Sequence, residues 1–254
     1  MSDLDHQEAV LAGRNAVREI VDTDPSRVER VYLQNDTGTL KQIAGMARAA
    51  GLQVQFVPQK RLNALAPGIN HQGAVALVSA VTYADADALF STVAPTLDDV
   101  KERMPILLAL DGLEDPFNVG AILRSAAAAG VAGVLVSSKG AAPIGATALK
   151  ASAGTALQLP IARVDKMATM LEAAKERGYW IVGAEGTSQT AHTAWDWVRA
   201  TILVVGSEKN GLSMSVSKAC DGLVSIPMPG AVESLNASVA AGVLLFEAVR
   251  QRMV

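Results

Sequence analysis

Apolar residues fall along the chain in short runs, separated by stretches whose apolar positions recur every three or four residues, the signature of strands alternating with amphipathic helices. The first such stretch predicts a helix over residues 6–21. The run VERVYLQ follows as a strand, then a helix over 40–50 closed by Gly51, the run VQFV, and a last strand GAVALVSAV behind His71-Gln72-Gly73. Together these predict a small α/β module over residues 1–82. It contains no nucleophile, metal or phosphate constellation.

From residue 105 the alternation resumes with PILLAL, the helix pattern NVGAILRSAAAAG and the run GVLVSS. Further strands are predicted at YWIVGA, TILVVG and GLVSIPM, with helices over 165–177 and 235–252. Short, wholly apolar strands separated by helices predict a mostly parallel sheet covered on both faces. Such sheets carry their sites at the carboxyl ends of the strands.

Charge changes this picture in the middle of the chain. Residues 1–82 hold 8 basic and 8 acidic side chains, 105–254 hold 12 of each, and 83–104 hold 2 and 5. The acidic, proline-containing stretch 83–104 therefore reads as a linker between two domains, 1–82 and 105–254. With 50% hydrophobic residues and 19% charged, both are expected to be packed rather than disordered. The net charge of −3 gives no whole-chain signature for nucleic acid, so any such binding must come from local patches. Arg14, Arg18, Lys41, Arg48, Lys60 and Arg61 would make one if folding gathers them. One cysteine and three scattered histidines supply neither a disulfide framework nor a zinc cluster, and no metal is expected. No apolar run approaches the ~18–20 residues of a membrane span, and the first 25 residues lack an apolar signal core. A cytoplasmic protein is expected.

Three predicted strand ends carry polar chemistry. In the first, 109–130, Asn118 reads as a helix N-cap and Gly130 as a helix stop, and Arg124 would pass over the bare Gly120 to bring its guanidinium near the helix start. There it is either an anion-holding group or a solvated arginine on an ordinary helix. In the second, GSEKNGLS at 206–213 nearly repeats the phosphate-loop spacing, but Leu212 stands where the essential lysine belongs, which weighs against a nucleoside triphosphate. Glu208 then borders a small-molecule pocket or merely decorates a turn, and Lys209 meets RNA phosphate or only water. In the third, 222–250, a strand breaks at Pro227 and Pro229 before Ser234 and Asn236 reach a helix start, as caps or as something more. The small residues Ala237, Ala240, Ala241 and Gly242 behind them would let another backbone approach closely. No GxGxxG follows a strand, so an ordinary Rossmann fingerprint is missing.

In this order and spacing the three segments resemble the SpoU (TrmH-type) class of the SPOUT RNA 2′-O-ribose methyltransferases. Asn118-x-Gly120-xxx-Arg124 is similar to their first motif, Gly206-x-Glu208-x-Asn210-Gly211 to their second, and Ile226-Pro227-Met228 through Ser234-Leu235-Asn236-x-Ser238 to their third. Residues 1–82, with His71-Gln72-Gly73, resemble the ribosomal-protein-like, RNA-binding substrate domain of the ribosomal-RNA members, and the chain as a whole is most similar to bacterial 23S ribosomal RNA guanosine-2′-O-methyltransferases. The resemblance implies a C-terminal trefoil knot in the α/β catalytic domain and a homodimer with its sites near the interface. It also implies S-adenosylmethionine bound against Gly206, Ile226, Met228 and Leu235, with Asn118, Arg124, Glu208, Ser234 and Asn236 as catalytic residues. Arg124 would orient the phosphate and hydroxyl, and Glu208 would fix Arg124 or touch the cofactor. A transfer-RNA ribose methyltransferase, an enzyme modifying a resistance-conferring ribosomal site and a catalytically silent RNA-binding assembly factor remain as alternatives.

Overall fold

The computed structural model describes residues 10–230 and 234–253. Contacts divide the chain into two units, Met1–Thr82 with Pro143–Thr147, and Tyr83–Ala142 with Ala148–Val254.

The first unit runs β1 (Val10–Ala12), α1 (Arg14–Thr23), β2 (Val28–Leu33), α2 (Gly38–Ala49), β3 (Val54–Phe56), α3 (Gln59–Leu65) and β4 (Ala74–Val78). The strands lie in the order β1-β4-β2-β3, with β4 antiparallel to both neighbours and β3 parallel to β2. Alternation sorts the side chains. Val31, Leu33, Ala74 and Ala76 pack under α1 and α2, while Tyr32 and Val75 pack with Leu62 and Ala66 on the other face. The first predicted helix needs correcting. Residues 10–12 form a strand, and the helix starts only at Arg14, after Gly13 turns the chain at φ 111° and donates to Ala74 O at 3.0 Å. Residues 6–9 lie outside the described residues. A three-residue edge strand is set by its distant partner β4 and leaves no local pattern.

The second unit opens with α4 (Ala86–Val93) and α5 (Leu97–Arg103), in the stretch read as a linker. That reading is wrong. Ala86, Leu89, Phe90, Ala94 and Val100 sit in the same core as Leu107, Leu135 and Ile181, and Phe90 meets Tyr179 edge-on at 5.5 Å. The acidic residues that suggested a solvated run are helix-start chemistry. Asp85 caps α4 by accepting from Ala88 N at 3.0 Å, and Thr96 with Asp99 forms a capping box on α5.

Then follow β5 (Ile106–Asp111), α6 (Pro116–Ala128), β6 (Gly133–Ser137), α7 (Ala146–Ala151), β7 (Ile161–Val164), α8 (Met167–Glu176), β8 (Trp180–Ala184), β9 (Thr201–Gly206), α9 (Met214–Ala219), β10 (Gly222–Val224) and α10 (Ala237–Arg252). The six strands are all parallel, in the order β10-β8-β9-β5-β6-β7. From Ile106 to Leu110, along β6 and along β9 every residue is buried, as two covered faces require. β7 escaped the sequence reading because it is four residues long and follows Pro160 directly.

The last turns of α10 clamp the returning chain. Gln251 Oε1 accepts from Trp197 N at 3.1 Å, its Nε2 donates to Trp195 O at 3.1 Å, and Arg252 donates to Trp197 O, Met104 O and Arg199 O. Buried Glu247 organises this end, accepting from both Arg250 and Gln251, which holds its carboxyl down to about 2. A carboxyl depressed from 4.5 contributes stability that is complete above pH 4.5 and lost as pH falls toward 2. Glu247→Gln should therefore lower the melting temperature at pH 7, and the gap from wild type should narrow below pH 4 in melts run across that range; a pH-independent gap would refute the assignment.

Candidate active site

At the carboxyl end of the sheet β5 and β9 finish side by side, with Asp111 opposite Gly206. The chain beyond Gly206 folds straight back. Ser207 N donates to Gly211 O at 3.1 Å, Gly211 N donates to Ser207 O at 2.9 Å, and Gly211 takes φ 62°. A Cβ on Gly206 would lie 2.3 Å from the Gly211 carbonyl, so glycine is required there. The turn presents Glu208, Lys209 and Asn210 to solvent and buries Leu212 in the core. Ser213 N then donates to Asp111 Oδ2 at 3.0 Å, tying the loop to the end of β5.

α6 starts differently from its predicted form. Asp115 is the N-cap, accepting from Phe117 N at 2.9 Å, and Pro116 occupies the first turn. Asn118 is thus released from capping. Its Nδ2 donates to Glu208 Oε1, while its Oδ1 accepts from Asn236 Nδ2 at 2.9 Å. Asn236 is indeed the N-cap of α10, its Oδ1 accepting from Ser238 N at 2.9 Å and Ser238 Oγ at 2.6 Å. The order of donors follows from the chemistry. Asn236 spends its acceptor on the helix and has only its amine left, a carboxylate accepts only, and the residue between them must do both.

Beside this chain lies a cavity of about 430 Å³. Gly206, Glu208, Ile226, Met228, Ser234 and Leu235 all line it, as do Val205, Ala237, Ala240 and Leu244. Residues 231–233 of the connecting segment lie outside the described residues. The sequence reading missed the contribution of the loop after β8, Glu185, Gly186 and Thr187. The only signal was that YWIVGA ends there, at the same edge of the sheet. Across the 207–211 turn is a second recess of about 590 Å³, whose Lys139, Lys166, Asp111 and Asp165 mix charges and favour neither sign of ligand.

Two expectations about α6 change. Arg124 is exposed, does not line the cavity and takes part in no ion pair among the described residues, so Glu208 is held by Asn118 and not by Arg124. Gly120 is not a groove for Arg124 either. A Cβ there would meet Ala148 O at 2.3 Å and Ala151 Cβ at 2.6 Å, so its bare surface admits α7. Of the small residues of α10, Ala237 and Ala240 line the cavity, while a Cβ on Gly242 would sit 3.7 Å from Ser125 Oγ of α6, an ordinary contact. Burial pushes the Cys220 thiol up to about 12, which removes it as a nucleophile. Among the described residues no three His, Cys, Asp or Glu side chains group as metal ligands.

Residues 105–246 match the profile described as the SpoU rRNA Methylase family, and residues 10–84 that described as RNA 2′-O ribose methyltransferase substrate binding. The chain belongs to the SpoU rRNA methylase family. It is an RNA 2′-O-ribose methyltransferase. A 23S rRNA (guanosine-2′-O-)-methyltransferase of Xylella fastidiosa is 40% identical over 95% of this chain and 96% of its own length. A Bacillus subtilis protein placed in the TrmH family of tRNA/rRNA methyltransferases is 38% identical over 98% of both. Among solved structures, the SpoU methyltransferase AviRb of Streptomyces viridochromogenes superposes with TM-score 0.57 at 25% identity, covering 96% of this chain and 89% of that one; it has also been solved in complex with the cofactor AdoMet, at 24% identity, TM-score 0.57, and 96% and 90% coverage. A TrmH/SpoU tRNA modifying enzyme of A. aeolicus gives TM-score 0.54 at 29% identity, covering 65% of this chain and 85% of that one.

The hydrogen-bond chain makes unequal demands on its members. Asn236→Ala removes a helix cap as well as the link and should cost about 1 kcal/mol or more, within the ~0.5–2 kcal/mol range for cap removal. Asn118→Ala, at the solvent side of the site, should cost roughly 0.5 kcal/mol. A double-mutant cycle by urea denaturation should show coupling between the two, and strict additivity would contradict the contact.

Proposed function

We propose that this chain methylates a ribose 2′-hydroxyl of a guanosine in 23S ribosomal RNA, taking the methyl group from S-adenosylmethionine. The observation that carries the reading is the convergence of three distant segments through the Asn236–Asn118–Glu208 hydrogen bonds, with Glu208 lining one cavity together with Ser234 and Leu235. The ribosomal target is supported by coverage: the 23S relative matches nearly the whole chain, whereas the tRNA modifying enzyme matches 65% of it.

The cavity suits the donor on its own chemistry. Its volume falls within the ~300–1,000 Å³ of small-molecule sites. Ile226, Met228, Leu235 and Leu244 give it an apolar wall, Gly206 and Gly211 let backbone come close, and the carboxylates of Glu185 and Glu208 favour a cationic centre. When bound, S-adenosylmethionine supplies a methyl group already activated for displacement. The protein's task is alignment, for which effective molarity is worth roughly 7–11 kcal/mol, and disposal of one proton from a weakly acidic hydroxyl. Asn118, Ser234 and Asn236 hold the target ribose at the cavity mouth, with Glu208 fixed by Asn118. Arg124 keeps its charge at neutral pH, so its role is to orient the phosphate and stabilise negative charge developing on the ribose oxygen. The proton passes to water or to substrate phosphate.

Val239, Val243 and Phe246 form an exposed apolar stripe on α10, one helical turn apart, and exposed Phe117 lies on α6. This supports a homodimer in which α10 packs against a second copy, with Arg124 serving a site near that interface. In this reading the carboxyl-terminal part of the catalytic unit forms a trefoil knot. The N-terminal unit binds the RNA. No helix among the described residues is long and apolar enough to cross a membrane, and the chain works in the cytoplasm, where ribosomal RNA is made.

Arg124→Ala should lose at least 100-fold in methyl transfer to unmodified ribosomal RNA while calorimetry shows donor binding within a factor of three of wild type. Ribose-methylation mapping should place the product on one 23S guanosine. A mark on transfer RNA would move the substrate to the runner-up, and donor-dependent transfer by Arg124→Ala at the wild-type rate would remove its role. Phe246→Asp should convert the dimer to a monomer by sedimentation and depress transfer; a monomeric wild type would refute the interface.

A further inference from the structure

The N-terminal unit has a cleft of about 550 Å³ of its own. Gln34, Gln59, Asn63, Asn70 and Gln72 bring five primary amides to it, Arg14 brings its sole charge, and no carboxylate lines it. Gln59 and Asn63 stand four apart on one face of α3, Gln34 follows the end of β2, and the remainder come from the loop between α3 and β4.

That loop is held in a strained shape by buried chemistry. His71 is 6% exposed, and its Nδ1 accepts from Gly73 N at 3.0 Å. With Nδ1 accepting, the donor role falls to Nε2, which donates to Asn63 Oδ1 at 2.8 Å. Asn63 keeps its amine for the cleft. Gln72 takes φ 50°, a left-handed conformation uncommon outside glycine, and its carbonyl accepts from Arg14 Nε at 2.8 Å. Arg14 retains two terminal nitrogens with no hydrogen bond among the described residues. A His-Gln-Gly sequence that buries its histidine to hold the neighbouring glutamine in a disfavoured conformation at the cleft is a device for presenting side chains, and packing alone does not require it.

Resting on the reading of this chain as an RNA methyltransferase, we propose that the cleft takes one unpaired nucleotide of the RNA, the amides reading the base edge and Arg14 holding the adjoining phosphate. Gln34, Gln59, Asn70 and Gln72 each carry a donor and an acceptor at fixed separation, the pattern a base edge presents, and Asn63 adds its amine. Sequence-specific recognition of RNA works on bases splayed out of helices. A nearly neutral module can thus select a substrate without a broad basic surface, which explains how a chain of net charge −3 engages RNA.

The test uses the full-length enzyme and an unmodified 23S rRNA transcript. Gln34→Ala combined with Gln59→Ala alters two exposed side chains, and an unchanged melting curve will confirm folding. The double variant should raise KM for RNA at least 10-fold while kcat and the KM for S-adenosylmethionine stay within twofold. Its salt dependence of RNA binding should keep the wild-type slope, whereas Arg14→Gln should reduce that slope by about one. With 4-thiouridine in the transcript, photocrosslinks should map to residues 59–73. Wild-type KM for RNA in the double variant, or crosslinks confined to the catalytic unit, would overturn the inference while leaving the methyltransferase reading intact. A wild-type enzyme that crosslinks through the cleft but transfers no methyl group would do the reverse.

Discussion

The carboxyl end of the catalytic sheet depends on one uncharged amide that accepts at one atom and donates at another. Asn118 receives from Asn236, which lies 118 positions later, and gives to Glu208, 90 positions later. Asn236 has committed its oxygen to capping α10 and offers its amine, Glu208 offers only acceptors, and Asn118 between them uses both halves of its amide. Aspartate in the middle would set two carboxylates together, and a hydrophobic residue would leave both ends to water. The geometry of the cavity rim is therefore tied to the first turn of α10, and through that helix to Glu247, Gln251 and Arg252 at its far end.

The parallel sheet makes such convergence cheap. With both faces covered by helices, all sequence variation that can touch a ligand is driven to the strand ends, and the loops after β8, β9 and β10 share one edge. Glycine at 206 permits the tight return after β9, and glycine at 120 lets α7 sit against α6.

The two units differ in the chemistry they present. The larger unit offers carboxylates and an apolar-walled cavity, which suit a cationic donor. The N-terminal unit offers amides on a rigid, strained loop, which suit neutral hydrogen-bonding edges. Net charge is a poor guide to such a protein because its polar contacts are few, local and geometrically defined.

Much was legible in the sequence alone. The short apolar runs at 106–110 and 202–205 read as strands buried on both sides, and parallel strands bring the polar residues at their ends to one edge. The resemblance to the SpoU class singled out Gly206, Glu208, Ile226, Met228, Ser234 and Leu235, and these line one cavity. Tertiary structure decided the rest. Residues 83–104 are core helices, because charge counts do not distinguish a solvated run from capped helix starts. Asn118 is a link and not a cap, because Asp115 competes for that position with a proline behind it. Gly120 serves α7, and β1 exists only against β4. In each case local residues fix a periodicity, but the partner that satisfies a given hydrogen bond or fills a given gap is tens of residues away, and only folding brings it within reach.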